Sequence, residues 1–109
     1  MADTYQVVIT PRAEASLERI IDYLLEEVSF KTAQYVEKEI LAAIDNLRVM
    51  PTRNAPAKEI ISKANITYRR ALALSYRIVY TIKEDQLMVL VVEIFHSKQG
   101  APSNYEGFE

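Results

Sequence analysis

Two apolar runs in the last third of the chain form the strongest pattern of the sequence. Residues 75–82 and 87–96 are rich in β-branched and aromatic side chains, and the polar residues Lys83–Gln86 separate them. This arrangement predicts a β-hairpin. The second run is apolar at nearly every position, so we expect its strand to be buried on both faces inside a sheet.

Apolar residues at spacings of three and four predict two helices in the first half of the chain. The first helix should begin at Thr10 and Pro11, because threonine caps helix N-termini and proline is tolerated at the first helical position. Its apolar stripe comprises Ala13, Leu17, Ile20, Ile21, Leu24, Leu25 and Val28. After a break at Ser29, a second stripe comprises Ala33, Val36, Ile40, Ala43, Ile44 and Leu47. The short link between the stripes predicts a helical hairpin.

Two further strands and a loop complete the predicted fold. Tyr5–Ile9 has the pattern of a short strand, and Ile66–Leu74 alternates except at Arg70, where we expect a bulge or an edge position. The periodicity fails from Pro51 to about Asn65, which indicates a loop. The expected fold is α+β, in the order β-α-α-β-β-β, with the helical hairpin packed on one face of a four-stranded antiparallel sheet. The side chains expected to be most buried are Leu90, Val92, Ile78, Leu17, Ile21, Ile40 and Ile44.

The second face of this sheet is predicted to carry a docking surface. Strict alternation along the strands places apolar residues there, next to arginines and Glu93, and apolar residues ringed by charges are typical of binding sites. The predicted partner-binding residues are Val79, Val91, Phe95, Arg69 and Arg77. Glu93 is expected to pair with one of the two arginines. A competing hypothesis is that residues 100–109 cover this face through Tyr105 and Phe108.

Length and composition restrict the class of protein. With 109 residues, the chain is predicted to form one domain over residues 1–99 and a flexible tail over residues 100–109. It has no cysteine and one histidine, which excludes disulfides and thiolate zinc sites, so neither a metal nor a cofactor is predicted. No signal peptide or membrane span is evident, and we expect a cytoplasmic protein.

The charges are distributed unevenly, although the net charge is only −2. Residues 1–51 carry five Lys/Arg and nine Asp/Glu, a net charge of −4, whereas residues 52–100 carry eight and four, a net charge of +4. The basic half holds the predicted strands. A positive sheet face can meet nucleic acid or an acidic partner, but solvated charges without a partner explain the distribution equally well.

The order of these elements and several short motifs resemble the RelE/ParE superfamily of bacterial toxins. Thr10-Pro11-Arg12-Ala13-Glu14-Ala15 is similar to the opening of the first helix in the ParE-like, plasmid stabilisation branch. The meander with Tyr76-Arg77-Ile78-Val79-Tyr80 and the last strand, ending at His96 with Lys98 two residues on, is also similar. The likeness spans about residues 5–99. It implies the toxin of a type II toxin–antitoxin system, neutralised by a cognate antitoxin.

The superfamily has two activities, and the resemblance implies different residues for each. ParE-like members inhibit DNA gyrase through protein–protein contact, and for this activity no catalytic residue is predicted. RelE-like members cut messenger RNA in the ribosome, which needs an acid–base group and cations that hold the phosphate. For that alternative, the residues that match are Arg77, His96, Arg69, Arg70 and Lys98.

We interpret the sequence as a ParE-like toxin, for three reasons. The chain lacks the basic pair that follows the last strand in the RNA-cutting branch. Its only tyrosine after the last strand is Tyr105, in the predicted tail. Its net charge is negative, whereas binding to RNA phosphates depends on Lys and Arg. A hetero-oligomer with an antitoxin is expected, and a homodimer is an open alternative. The RelE-like ribonuclease, acting on the ribosome and messenger RNA, and a non-toxic relative that only binds an antitoxin stay as alternatives.

Overall fold

The computed structural model describes residues 4–57 and 66–99, which form two helices and a four-stranded sheet. The helices are α1 (Pro11–Glu27) and α2 (Phe30–Asp45), and the strands are β1 (Gln6–Ile9), β2 (Tyr68–Ala73), β3 (Tyr76–Lys83) and β4 (Met88–His96). The predicted α+β fold and element order are confirmed. Both predictions for residues 100–109, a flexible tail and a cover over the sheet, lie outside the described residues.

Side-chain caps at both N-termini explain where the helices begin. The Oγ1 of Thr10 accepts a hydrogen bond from the backbone N–H of Ala13 at 3.2 Å, and Pro11 occupies the first helical position. Ser29 caps α2 in the same way, since its Oγ accepts from the N–H of Thr32 at 3.0 Å. These bonds satisfy donors that the first helical turn leaves without partners, so the hairpin turns within two residues.

The sheet is mixed rather than purely antiparallel, which corrects the predicted pairing. Its strand order is β1-β4-β3-β2, and β1 runs parallel to β4, from the pair Gln6–Met88 to the pair Ile9–Val91. The other two pairings are antiparallel. After α2 the chain returns to the start of β1, where the N–H of Tyr5 donates to the carbonyl of Arg48 at 2.8 Å. An alternating pattern shows the two faces of a strand but not the direction of its neighbour.

A β-bulge in β4 changes the faces on which its residues lie. Val79 pairs with Glu93 and Tyr80 pairs with Val91, so Val92 is an extra residue without a partner on β3. Before the bulge the odd-numbered residues Val89 and Val91 pack toward the helices. After the bulge the even-numbered residue Ile94 packs toward them. The prediction that Val91 lies on the open face is therefore wrong. Of the two expectations for Arg70, the edge position is correct, since β2 is the edge strand next to β3, and the pairing of these strands shows no bulge.

Apolar clusters cover both faces of the sheet. The helix-side core joins the helical stripes to the strands, and its fully buried members include Ile40, Ile78, Tyr80, Val89 and Val91. A smaller cluster on the other face contains Ala57, Tyr68, Val79, Val92 and Phe95. Of the predicted core, Val92, Ile78, Ile40 and Ile44 are buried, whereas Leu90, Leu17 and Ile21 are only partly buried.

The second cluster also corrects the prediction that Val79 and Phe95 are exposed. Both side chains are buried. Residues 55–57 lie along the outer edge of β2, where the N–H of Ala57 donates to the carbonyl of Tyr68 at 2.7 Å and Pro56 bridges Arg69. This pairing brings Ala57 into the cluster, since its side chain is buried with Val79 and Phe95.

We predict that Val92→Asp unfolds the protein or destabilises it by several kcal/mol. The substitution places a charge without a partner in the second cluster, where desolvation of a carboxylate is costly. Urea unfolding followed by circular dichroism measures the effect. The matched control is Leu72→Asp on β2, because Leu72 is 66% exposed and its replacement should cost little. A V92D protein as stable as L72D would contradict this burial.

Candidate functional site

The face of the sheet away from the helices carries an exposed patch of arginine and leucine. Leu72 pairs with Arg77, and Arg70 lies two residues earlier on the same side of β2. Both arginines are half-buried, whereas Leu72 and the following Leu74 are exposed. We call Arg70, Leu72, Leu74 and Arg77 the open-face patch. It combines positive charge with apolar side chains at the outer edge of the sheet, a composition suited to binding.

Arg69 does not belong to this patch, because it lies on the other side of β2 and pairs with Tyr80. Its Nη1 donates to the carbonyl oxygens of Asn54 at 2.6 Å and of Thr52 at 3.3 Å. The hydroxyl of Tyr80 binds the same segment, since it donates to the carbonyl of Pro51 at 2.5 Å and accepts from Nδ2 of Asn54 at 3.1 Å. Arg69 therefore holds residues 51–54 against the sheet.

His96 lies on the helix side of the sheet, at the end of β4. Its imidazole ring packs edge to face against the ring of Tyr76, with the ring centroids 5.1 Å apart and the ring planes at 84° to each other. The backbone N–H of Lys98 donates to its Nδ1 at 3.0 Å, which in a neutral imidazole places the proton on Nε2. Burial raises the pKa of Tyr76 above its ordinary value, and the neighbouring Tyr23 raises it further. Tyr76 therefore stays protonated near neutral pH.

A groove separates α1 from the end of β4. Its volume is about 730 Å³, and we call it the α1–β4 groove. The described residues that line it are Ser16, Arg19, Ile20, Tyr23, Leu24, Tyr76, Glu93, Ile94, Phe95, His96 and Lys98. Apolar side chains from both elements line it together with the exposed cations Arg19 and Lys98.

A buried carboxylate lies beside this groove and is bound by α1. Glu93 is 4% exposed, and its Oε1 accepts from the hydroxyl of Ser16 and, at 3.0 Å, from the N–H of Ile94. Its Oε2 forms an ion pair with Nε of Arg12 at 3.1 Å. Nη2 of Arg19 donates to the same Ser16 hydroxyl at 3.0 Å. These bonds satisfy the carboxylate, as burial requires.

The expectation that Glu93 pairs with Arg77 or Arg69 is wrong. Glu93 follows Val91, the last residue of β4 that pairs with β1, and the bulge directs its side chain toward α1. Sequence reasoning did not assign Ser16 or Arg12 to a site. A signal was present, since Ser16 interrupts the apolar stripe of α1 as Glu93 interrupts the apolar run of β4. Two polar residues on surfaces that face each other are expected to bind each other.

The residues of the ribonuclease alternative are divided among three places, and Lys98 lies beside His96 at the α1–β4 groove. Arg70 and Arg77 lie on the open face, His96 lies on the helix side, and Arg69 is bound to residues 51–54. Within residues 4–57 and 66–99, no three His, Asp or Glu side chains are placed to hold a metal. None of the helices in the described part of the chain is long and apolar enough to cross a membrane.

The family model of the ParE toxin of the type II toxin–antitoxin system parDE matches residues 7–100. That match covers most of the chain, from β1 to just beyond the last described residue. The chain belongs to the ParE toxin family. No curated protein matches its sequence.

Two solved structures share the ParE-type fold. The chromosomal ParDE system from P. aeruginosa superposes with a TM-score of 0.68 at 15% identity, covering 85% of this chain and 96% of that one. The toxin–antitoxin complex RelBE2 from Mycobacterium tuberculosis has a TM-score of 0.55 at 19% identity, covering 86% and 92%. At these identities the likeness shows the fold alone.

We predict that Arg12→Met destabilises the ParE-type fold by roughly 2 kcal/mol, because it leaves the Glu93 carboxylate buried beside Ser16 without a counter-ion. In a Glu93→Gln background the same substitution should cost less, roughly 0.5 kcal/mol, since no charge is left behind. Urea unfolding of the four proteins of this cycle measures the coupling energy. Equal costs in both backgrounds would show that the ion pair contributes nothing.

Proposed function

We propose that this ParE-family chain is a cytoplasmic toxin that inhibits DNA gyrase by protein–protein contact and is neutralised by a cognate antitoxin. The observation that carries the proposal is the family match over residues 7–100, since that family is the toxin of parDE systems. The likeness to the P. aeruginosa ParDE structure over 96% of that chain supports it. An inhibitor of this kind needs a stable binding surface and no bond-breaking group.

The separation of the cations supports contact rather than RNA cleavage. A metal-independent ribonuclease must present an acid–base group and phosphate-binding cations to the same phosphate, within hydrogen-bond distance of the reacting oxygens. His96 and Arg77 occupy opposite faces of the sheet, and Arg69 binds the carbonyl groups of residues 52 and 54. Of the five residues of the ribonuclease alternative, only Lys98 lies beside His96. Tyr76 and Tyr80 also fit poorly as bases, because burial raises the pKa of each.

One observation favours the RelE-like ribonuclease as a second candidate. Arg70 and Arg77 lie near each other on the open face, and two guanidinium groups can hold one phosphate. The acid–base group would then have to come from another side chain on that face, since His96 is on the helix side. A non-toxic relative that only binds an antitoxin would use the same surface without either activity.

We predict that His96→Ala keeps its growth-inhibiting potency within about three-fold, because a contact-based inhibitor loses only the contact energy of one side chain. If His96 were a general acid or base, its loss would lower the cleavage rate about a hundred-fold or more. The measurements are growth after induced expression, supercoiling by purified gyrase, and cleavage of messenger RNA on translating ribosomes.

The two candidates give opposite results in these assays. Under the proposal, the wild type and H96A both block supercoiling and leave ribosome-bound messenger RNA intact. Codon-specific cuts by the wild type that disappear in H96A would overturn the proposal in favour of the ribonuclease. Expression without growth inhibition, together with tight binding of the antitoxin, would favour the non-toxic relative.

We further propose that the antitoxin contacts the open-face patch. The predicted contacts Val79, Val91 and Phe95 are buried, so their side chains offer almost no surface to a partner. Leu72 and Leu74 are instead the exposed apolar side chains at that edge, and Arg77 lies between Leu72 and Phe95 in the register. Exposed apolar anchors next to arginines are typical centres of protein interfaces.

We predict that Leu72→Asp weakens antitoxin binding about thirty-fold or more, because loss of a central apolar anchor commonly costs about 2 kcal/mol. The isolated toxin should stay folded, since Leu72 is exposed. Isothermal titration calorimetry with the antitoxin purified from the same operon measures the affinity. The control is Leu87→Asp, an exposed leucine at the turn before β4, which should leave affinity within two-fold. Similar losses in both variants would place the antitoxin elsewhere.

A further inference from the structure

The α1–β4 groove combines a concave shape, an apolar lining and exposed cations. It is a concave site of about 730 Å³, within the range of about 300–1,000 Å³ typical of ligand clefts. The apolar side chains of Ile20, Leu24 and Ile94 line it. Exposed cations border it from both sides, Arg19 on α1 and Lys98 after β4.

The exposed charges that line this groove are positive, although the net charge of the chain is −2. Among its described lining residues the carboxylate is that of Glu93, which is buried and ion-paired with Arg12. Its charge is therefore already balanced within the fold. Arg19 and Lys98 remain as the exposed charges that line the groove, so the groove selects anionic groups.

The hydrogen bond from Arg19 to Ser16 reduces the side-chain entropy that Arg19 loses when a ligand binds. Nη2 of Arg19 donates to the Ser16 hydroxyl, and Ser16 donates in turn to Glu93. A guanidinium has five N–H groups, and this bond uses one of them. Because an exposed arginine loses side-chain entropy on binding, a partly fixed arginine binds a carboxylate at lower cost.

The aromatic residues of the groove indicate which apolar group a ligand would insert. Tyr23 is 62% exposed on α1, and Tyr76 and His96 form an edge-to-face pair across from it. Apolar side chains below and an exposed ring at the side favour an aromatic or large aliphatic group, flanked by acids that reach Arg19 and Lys98.

We infer that the α1–β4 groove binds an extended acidic peptide segment of a partner protein, with an aromatic or leucine side chain inserted between α1 and β4. The inference rests on the proposed function only in taking the partner to be a protein. It assigns a second binding surface, on the opposite side of the sheet from the open-face patch. A partner that contacts both surfaces would bind more tightly than through either one.

The test uses the full chain and a fluorescein-labelled peptide, Glu-Asp-Phe-Glu-Asp-Leu-Glu, in fluorescence anisotropy titrations. We expect Arg19→Glu and Lys98→Glu each to weaken binding about ten-fold, because attraction becomes repulsion at the rim. Tyr23→Ala should weaken binding about five-fold. The matched control is Lys38→Glu, an exposed lysine on α2 outside the groove, which should change the affinity less than two-fold.

Two further peptides separate charge from the apolar anchor. The neutral peptide Gln-Asn-Phe-Gln-Asn-Leu-Gln and the anchorless peptide Glu-Asp-Ala-Glu-Asp-Ala-Glu should each bind at least ten-fold more weakly than the first. Backbone amide shifts in an NMR titration should locate the first peptide at α1 and the end of β4. Unfolding curves of all four variants that match the wild type show that the fold is intact.

Several results would overturn the inference. One is an equal loss of affinity in K38E and R19E, which would mean attraction by overall charge. A second is equal affinity for the neutral and the acidic peptide. A third is displacement of the acidic peptide by a single-stranded adenine 12-mer, if this displacement is lost in R19E and K98E, because the groove would then bind nucleic acid. These assays contain neither gyrase nor antitoxin, so their failure is distinct from failure of the proposed function.

Discussion

The β-bulge in β4 determines which side chains of this central strand pack toward the helices. β4 pairs with β1 on one edge and β3 on the other, and both of its faces are covered by apolar clusters. A strand in this position cannot leave a polar side chain without a partner. The extra residue, Val92, allows Val91 and Ile94 to pack toward the helices and Glu93 to reach α1. The α1–β4 groove follows from this arrangement, because Glu93, Ile94 and His96 line it.

Much of the fold was predictable, because its signals are local. The caps at Thr10 and Ser29, the stripes of both helices and the break before β4 all lie within a few residues of the elements they define. The parallel pairing of β1 with β4 was not predictable in the same way. It depends on where the helical hairpin returns the chain, and no residue of β1 encodes the direction of its neighbour.

The candidate site was less predictable than the fold, because a single extra residue reverses the faces of a strand. Strict alternation put Val91 and Phe95 on one face, and the bulge between them places Val91 in the helix-side core. The same alternation assigned Glu93 to arginines of the sheet instead of Arg12. Arg69 was misplaced for a different reason, because Ala71 and Ala73 are the residues of β2 that pack toward the helices, and Arg69 shares their side of the strand.

These placements give the chain two cationic surfaces on opposite sides of one sheet. The open-face patch presents Arg70 and Arg77 with exposed leucines, and the α1–β4 groove presents Arg19 and Lys98 around an apolar interior. Interfaces of this kind gain affinity from a few apolar anchors, and their rim charges set association rate and partner choice. In the described part of the chain the helices carry more acidic than basic residues, so these two regions differ from the helices in charge.

If the protein inhibits gyrase by contact, as we propose, inhibition should have a fixed stoichiometry. Purified gyrase at a fixed concentration above the dissociation constant is titrated with the protein, and supercoiling of relaxed plasmid is measured. We expect a linear loss of activity that ends at a fixed molar ratio of protein to gyrase and is reversed by added antitoxin. Full supercoiling at a large molar excess, with messenger RNA cut by substoichiometric amounts of the same preparation on ribosomes, would contradict it.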